Sequence, residues 1–131
     1  MLISATVDKA FQRHQVKLTT GGKSHALDAS ANGGELLCLA MATCYCNDLY
    51  REAVKRGIEV AGVEVQANAE FEAEGAPAGR LSYRVVVRAN AAEADIRELI
   101  LHTDRVAEVQ STLRLGLPVT LESFSAVRQS A

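Results

Sequence analysis

Hydrophobic and polar residues alternate at the start of the chain. Ile3, Ala5 and Val7 share one side of residues 2–8, and Val16 and Leu18 share one side of residues 14–19. A period of two predicts strands. Thr20-Gly21-Gly22-Lys23 supplies the glycines of a hairpin turn, so residues 24–28 read as a short return strand. The chain therefore opens with a small antiparallel meander. The polar segment 29–34 then leads into a different pattern. Between Leu36 and Cys46 only Thr43 is clearly polar. Such a run is apolar almost all round, which for a helix means burial on most faces. It falls short of the roughly 18–20 apolar residues that a bilayer requires. After Cys46 the pattern becomes amphipathic, with Leu49, Tyr50, Ala53 and Val54 as a stripe and Asp48, Arg51, Glu52 and Lys55 outside it. Asn32 is placed to cap the helix, with Glu35 as its capping-box partner, and Gly57 stops it. The expectation is one long helix over 32–56 whose first half is buried.

The second half of the chain is regular. Val63, Val65, Ala67, Ala69 and Phe71 alternate with Glu64, Gln66, Asn68 and Glu70, a strand with one wet face. After a loop over 72–80, Leu81, Tyr83, Val85, Val87 and Ala89 repeat the alternation. The two strands should pair as a hairpin, with Glu and Arg side chains facing each other across the outer surface. A second helix is expected from a cap at Asn90, with Ile96, Leu99, Ile100, Thr103, Val106 and Ala107 as its inner stripe. It runs, broken or not, to Arg114 and ends at Leu115-Gly116. Residues 117–124 read as a last strand, with Pro118 marking the start or edge of a sheet. The order is β-β-β-α-β-β-α-β, an α+β fold of antiparallel sheets against a long central helix. That helix needs more cover than one such layer gives, which favours a homodimer with a shared helical core.

The length of 131 residues suits a single domain over 1–131. A net charge of −2 gives no reason to expect nucleic acid or an anionic membrane as partner. The opening MLISATVDK lacks a basic region followed by a long apolar run, so the expected location is the cytoplasm. Three cysteines, Cys38, Cys44 and Cys46, all fall on the central helix. An odd, clustered set is no disulfide framework and fits a reducing compartment.

A buried cysteine is first of all a small apolar residue. On a regular helix Cys44 and Cys46 point about 200° apart, and Cys38 lies about 9 Å and about 12 Å along the axis from them. No pair meets the demands of a disulfide. A sulfenic acid formed on one thiol would need a second subunit or an external thiol to resolve it. Cys44 is about three turns into the helix, beyond the reach of its dipole, so activation requires a cation from elsewhere. Arg13 and His14 are the candidates on the opening meander. A Cys-x-Cys metal site is disfavoured because the two thiols diverge, and neither a metal nor a cofactor is called for. His25, His102, Tyr45 and Tyr50 read as structural. No phosphate loop, dinucleotide fingerprint or hydrolase elbow is present.

The segment NGGELLCLAMATC resembles the Asn-Pro-x-Glu-Leu-Leu…Cys motif that opens the central helix of OsmC/Ohr-like proteins. Asn32, Glu35, Leu36, Leu37 and Cys44 fall at matching positions. The element order matches as well, and GLPVTLES is similar to the family's closing strand. The resemblance implies an intertwined homodimer with sites at the subunit interface and thiol-dependent reduction of hydroperoxides. It makes Cys44 the reactive thiol and Arg13 its best-placed arginine. It also implies a Glu near the helix start, for which Glu35 is the candidate, although the peroxidase branch places it where this chain has Gly34. Nine residues, about 180° around a helix, separate Glu35 from Cys44, which reads more simply as a cap. The family's second cysteine is replaced by Ala107 in AEVQSTL, and its motif proline by Gly33. The leading expectation is a peroxidase acting through Cys44, with an external or partner-chain thiol as reductant. The alternative is a relative without that cycle that binds a small apolar ligand in the dimer cleft. A purely structural or partner-docking module has no positive feature behind it.

Overall fold

The computed structural model describes residues 1–10, 13–27 and 31–128, without the side chains of Asp8, Ala10, Arg13 and His14. The chain divides into two compact units, Met1–Leu37 and Cys38–Ala131.

The first unit holds the expected meander. Strands β1 (Ile3–Ala10), β2 (Arg13–Thr20) and β3 (Lys23–Ala26) form an antiparallel sheet in the order β1-β2-β3. Gly21 and Gly22 turn the β2–β3 hairpin with φ of 55° and 82°, values that residues with a Cβ rarely adopt. Ile3 and Val7 on the apolar side of β1 are 66% and 62% exposed. The α1 helix (Gly33–Lys55) begins in this unit with the expected capping box. The Asn32 N–H donates to Glu35 Oε1 at 3.0 Å, and the Glu35 N–H donates to Asn32 Oδ1 at 2.8 Å.

The second unit contains the rest of α1, strands β4 (Glu59–Phe71) and β5 (Ala78–Asn90), and helices α2 (Glu93–Val106) and α3 (Glu108–Leu115). The predicted hairpin has the predicted phase: Val63 faces Val87, Val65 faces Val85, Ala67 faces Tyr83 and Ala69 faces Leu81, but on the outer surface only Glu70 meets an arginine, Arg80, while Glu64 faces Val86 and Arg84 faces Gln66. These apolar residues cover a core of Tyr45, Leu49, Ala53 and Leu99. The Tyr45 and Tyr83 rings lie 5.3 Å apart at a tilt of 54°, and the Tyr45 hydroxyl donates to the Ile100 carbonyl at 2.9 Å. Gly57 and Gly116 stop α1 and α3 as expected, with φ of 65° and 61°.

Four details depart from the sequence reading. The buried stripe of α1 is Met41, Tyr45, Asp48, Leu49, Glu52 and Ala53, weighted to its second half, while Leu39 in the first half is 56% exposed. Tyr50 and Val54, expected inside, face out, while Asp48 and Glu52 take inner positions, paired with Arg51 and Lys55 of α1 itself and with His102 of α2. The second helical segment breaks at Ala107, and its cap position falls on Ala92, which has no side-chain acceptor; Asn90 instead ends β5. Residues 117–128 form no strand, and Val119 is fully exposed. A strand needs a second backbone for its N–H and C=O groups, and no described residue supplies one here. Among the described residues no helix is long and apolar enough to cross a membrane.

Candidate functional site

The site forms where α1 meets the start of α3. Positions 41, 44, 48, 51 and 52 recur at helical spacing and share one flank of α1. Cys44 is half-buried there. Its thiol donates to Asp48 Oδ2 at 3.3 Å, one turn further along the helix. Asp48 is 5% exposed, so its other oxygen needs a partner, and Arg51 Nη1 provides it at 3.1 Å. The same Nη1 reaches Glu108 Oε1 at 3.0 Å on the first residue of α3. Arg51 thus ties the two helices together through carboxylates beside the sulfur.

Burial pushes the Cys44 thiol above its ordinary pKa. The backbone N–H of Val109 works against this, the Asp48 carboxylate adds to it, and the N–H of Glu108 lowers it again; the net effect is upward. The amides belong to the first turn of α3, where unpaired N–H groups and the helix dipole favour negative charge. Cys44 is therefore served by the start of α3, not by the distant start of α1. At rest it is a thiol held by a carboxylate, poised next to groups that stabilise its anion. Burial also raises Cys46.

A second cluster lies one turn on. Glu52, also 5% exposed, accepts from Arg51 Nε at 2.9 Å, Lys55 Nζ at 3.0 Å and His102 Nε2 at 2.8 Å. Lys55, Arg51 and His102 in that order hold its carboxyl down at about 2. An ionised carboxylate only accepts, so the His102 nitrogen that faces it carries the hydrogen. Cys44, Asp48 and Glu108 offer ligand atoms within 4.8 Å of one another, a spacing that a cation could use. The Arg51 guanidinium already holds the carboxylate side of that cluster.

The residues anticipated from sequence divide between the two units, Arg13 and Glu35 in the first and Cys44 in the second. Cys44 is at the centre of the site. The Glu35 carboxylate is engaged with the Asn32 backbone as a cap. Arg13 lies in β2, and its side chain, like that of His14, falls outside the described residues. Ala107, at the position of the family's second cysteine, is fully buried between α2 and α3. Sequence reasoning missed Asp48, Arg51 and Glu108 and read His102 as structural. The i, i+4, i+7 spacing of Cys44, Asp48 and Arg51 was a usable signal, but nothing in the sequence places Glu108 beside them.

Residues 24–122 match the family described as OsmC-like protein. The chain belongs to the OsmC-like family. No curated protein sequence matches it. Solved OsmC-like structures share its fold at low identity. The OsmC-like protein of Mycoplasma pneumoniae is 14% identical, with 87% of this chain and 88% of that chain covered and a TM-score of 0.65. An organic hydroperoxide resistance protein OsmC of Legionella pneumophila is 15% identical, with coverage of 87% and 90% and a TM-score of 0.55. The organic hydroperoxide resistance protein OhrB of Bacillus subtilis is 14% identical, with coverage of 87% and 91% and a TM-score of 0.51. At such identities the likeness concerns the fold.

Proposed function

We propose that this OsmC-like protein reduces organic hydroperoxides through Cys44. The observation that carries the reading is the Cys44–Asp48 hydrogen bond set against the first amides of α3. Asp48 accepts the thiol proton as Sγ attacks the terminal peroxide oxygen. The S–O bond forms and the O–O bond breaks. The proton passes to the leaving alkoxide, which departs as an alcohol, and the sulfur becomes a sulfenic acid. An external thiol condenses with the sulfenic acid and releases water. A second equivalent reduces the mixed disulfide and restores Cys44. Arg13 is the candidate cation for the leaving oxygen, and Arg13→Ala should lower turnover. The names of the Legionella and Bacillus neighbours point to the same chemistry.

The reading includes a homodimer in the cytoplasm. Apolar Ile3, Val7, Leu39, Val54, Leu117, Val119, Leu121 and Phe124 are exposed in the single chain, a load that a second copy would cover. Three free thiols suit a reducing compartment. A monomeric mass by light scattering would refute the dimer.

The deciding experiment follows organic hydroperoxide consumption with a dithiol reductant in wild type, Cys44→Ser and Cys46→Ser. Turnover should vanish in Cys44→Ser and persist in Cys46→Ser. Equal turnover in wild type and Cys44→Ser sinks the proposal. One observation favours a second reading, a ligand-binding relative without the cycle: the upward pKa shift of Cys44. That reading predicts slow oxidation, unselective among the three thiols.

A further inference from the structure

Two buried carboxylates on α1, Asp48 and Glu52, differ in how many partners they have. Glu52 is bonded by Arg51, Lys55 and His102. The groups around Asp48 are the Cys44 thiol and the Arg51 guanidinium of its own helix and the Glu108 carboxylate of α3. Among the described residues Arg51 is the cation that pairs with Asp48.

The two carboxylates therefore respond differently to the loss of Arg51. Glu52 keeps Lys55 and His102. Asp48 is left buried beside Glu108, a like charge, with a thiol to bond to. A buried carboxylate without a counter-charge neutralises by taking up a proton. A protonated Asp48 is no longer a base for Cys44.

Arg51 is itself held in place. Its Nε donates to Glu52 Oε2 at 2.9 Å and its Nη1 to Glu108 Oε1 at 3.0 Å, and Nη1 lies 3.1 Å from Asp48 Oδ1. With Oδ1 taken, Oδ2 is the oxygen that faces Sγ, at 3.3 Å. A planar guanidinium gripped at two edges fixes both the charge of its partner and its rotation.

We propose that Arg51 is a positioning residue for Cys44, holding the Asp48 carboxylate ionised and turned toward the thiol. The proposal rests on the reading of Asp48 as acceptor of the Cys44 proton, and Arg51 acts through Asp48 alone.

The test follows iodoacetamide alkylation of Cys44 against pH in the full chain, located by fragment mass spectrometry. Arg51→Met should move the profile down as far as Asp48→Asn does and lower hydroperoxide turnover by the same factor. In the Asp48→Asn background it should add no shift. Arg51→Lys, which keeps the charge, should return the profile to that of wild type. Gln110→Leu breaks a different α1–α3 contact, the bond from Gln110 Nε2 to the Met41 carbonyl, and should leave the profile in place. A profile that Arg51→Met leaves unmoved overturns the inference. So does an upward move, which would mean that Asp48 keeps its charge unaided. Arg51→Lys behaving as Arg51→Met, an equal shift in Gln110→Leu, or a further shift in the double variant each overturns it as well. Should Arg51→Met not fold, Arg51→Gln removes the same charge and is read in the same way. Alkylation needs no peroxide, so it decides the role of Arg51 even if wild type and Cys44→Ser turn over hydroperoxide alike.

Discussion

Two neighbouring ridges of α1 solve the problem of burial in different ways. Tyr45, Leu49 and Ala53 are buried against Leu99 and the inner face of the β4–β5 hairpin, where apolar contact suffices. Cys44, Asp48 and Glu52 run alongside, and there every buried carboxylate is matched by a cation or a ring nitrogen from Arg51, Lys55 or His102. The first ridge is non-directional and indifferent to pH. The second depends on individual partners, and it holds the thiol. Stability and chemistry are thus carried by side chains one or a few positions apart on a single helix.

The sharpest way to break the comparison is at the proton on Cys44. Asp48→Asn removes a carboxylate that raises the thiol's pKa, so alkylation of Cys44 at neutral pH should speed up and its pH–rate profile should move down. Under the proposed cycle the same variant loses its proton acceptor, and hydroperoxide reduction should slow, with proton transfer typically contributing about 10²–10⁴-fold. Opposite signs in the two assays would separate a base from a mere brake; parallel acceleration would remove Asp48 from the mechanism.

The apolar ridge should show its effect in stability alone. Leu49→Ala is expected to cost about 2–5 kcal/mol in chemical denaturation, as a fully buried leucine does. A cost near zero would mean that the core is not centred on this residue.

A gentler probe is the titration of Glu52. Its folded pKa of about 2 lies below the ordinary carboxyl value of 4.5, so ionisation favours the folded state. That contribution is complete above the ordinary carboxyl range and is lost as pH falls toward about 2. Carboxyl NMR should give a midpoint near 2 for Glu52, and Glu52→Gln should flatten acid destabilisation over that window. A midpoint in the ordinary range would show that the three partners do not hold it in solution.

The smallest effect belongs to the cap. Asn32→Ala should cost about 1 kcal/mol and leave Cys44 alkylation unchanged. A large change in reactivity would return Glu35 to the list of thiol partners.

What could be read in advance follows from how local each feature is. The hairpin phase was legible because alternation fixes which side chains share a face, and the structure adds the register, with Val63 opposite Val87. The Asn32–Glu35 cap was legible because both partners lie within one turn. The buried stripe of α1 was misplaced by a fraction of a turn. Hydropathy sent Tyr50 and Val54 inward and Asp48 and Glu52 outward; in the structure the two carboxylates lie inside, paired with Arg51 and Lys55 of the same helix and with His102 of α2.

Left to itself, the sequence determined the α+β class, the order of elements up to α3, the thiol-bearing central helix and the OsmC-like kinship, because each rests on short-range periodicity or on a contiguous motif. Tertiary structure alone decided which groups of α3 surround that thiol. Glu108 and the Val109 amide lie more than sixty residues from Cys44 along the chain and reach it only because α2 breaks at Ala107 and redirects α3. It also left residues 117–128 without a strand, since pairing belongs to two backbones and a segment's own pattern supplies only one.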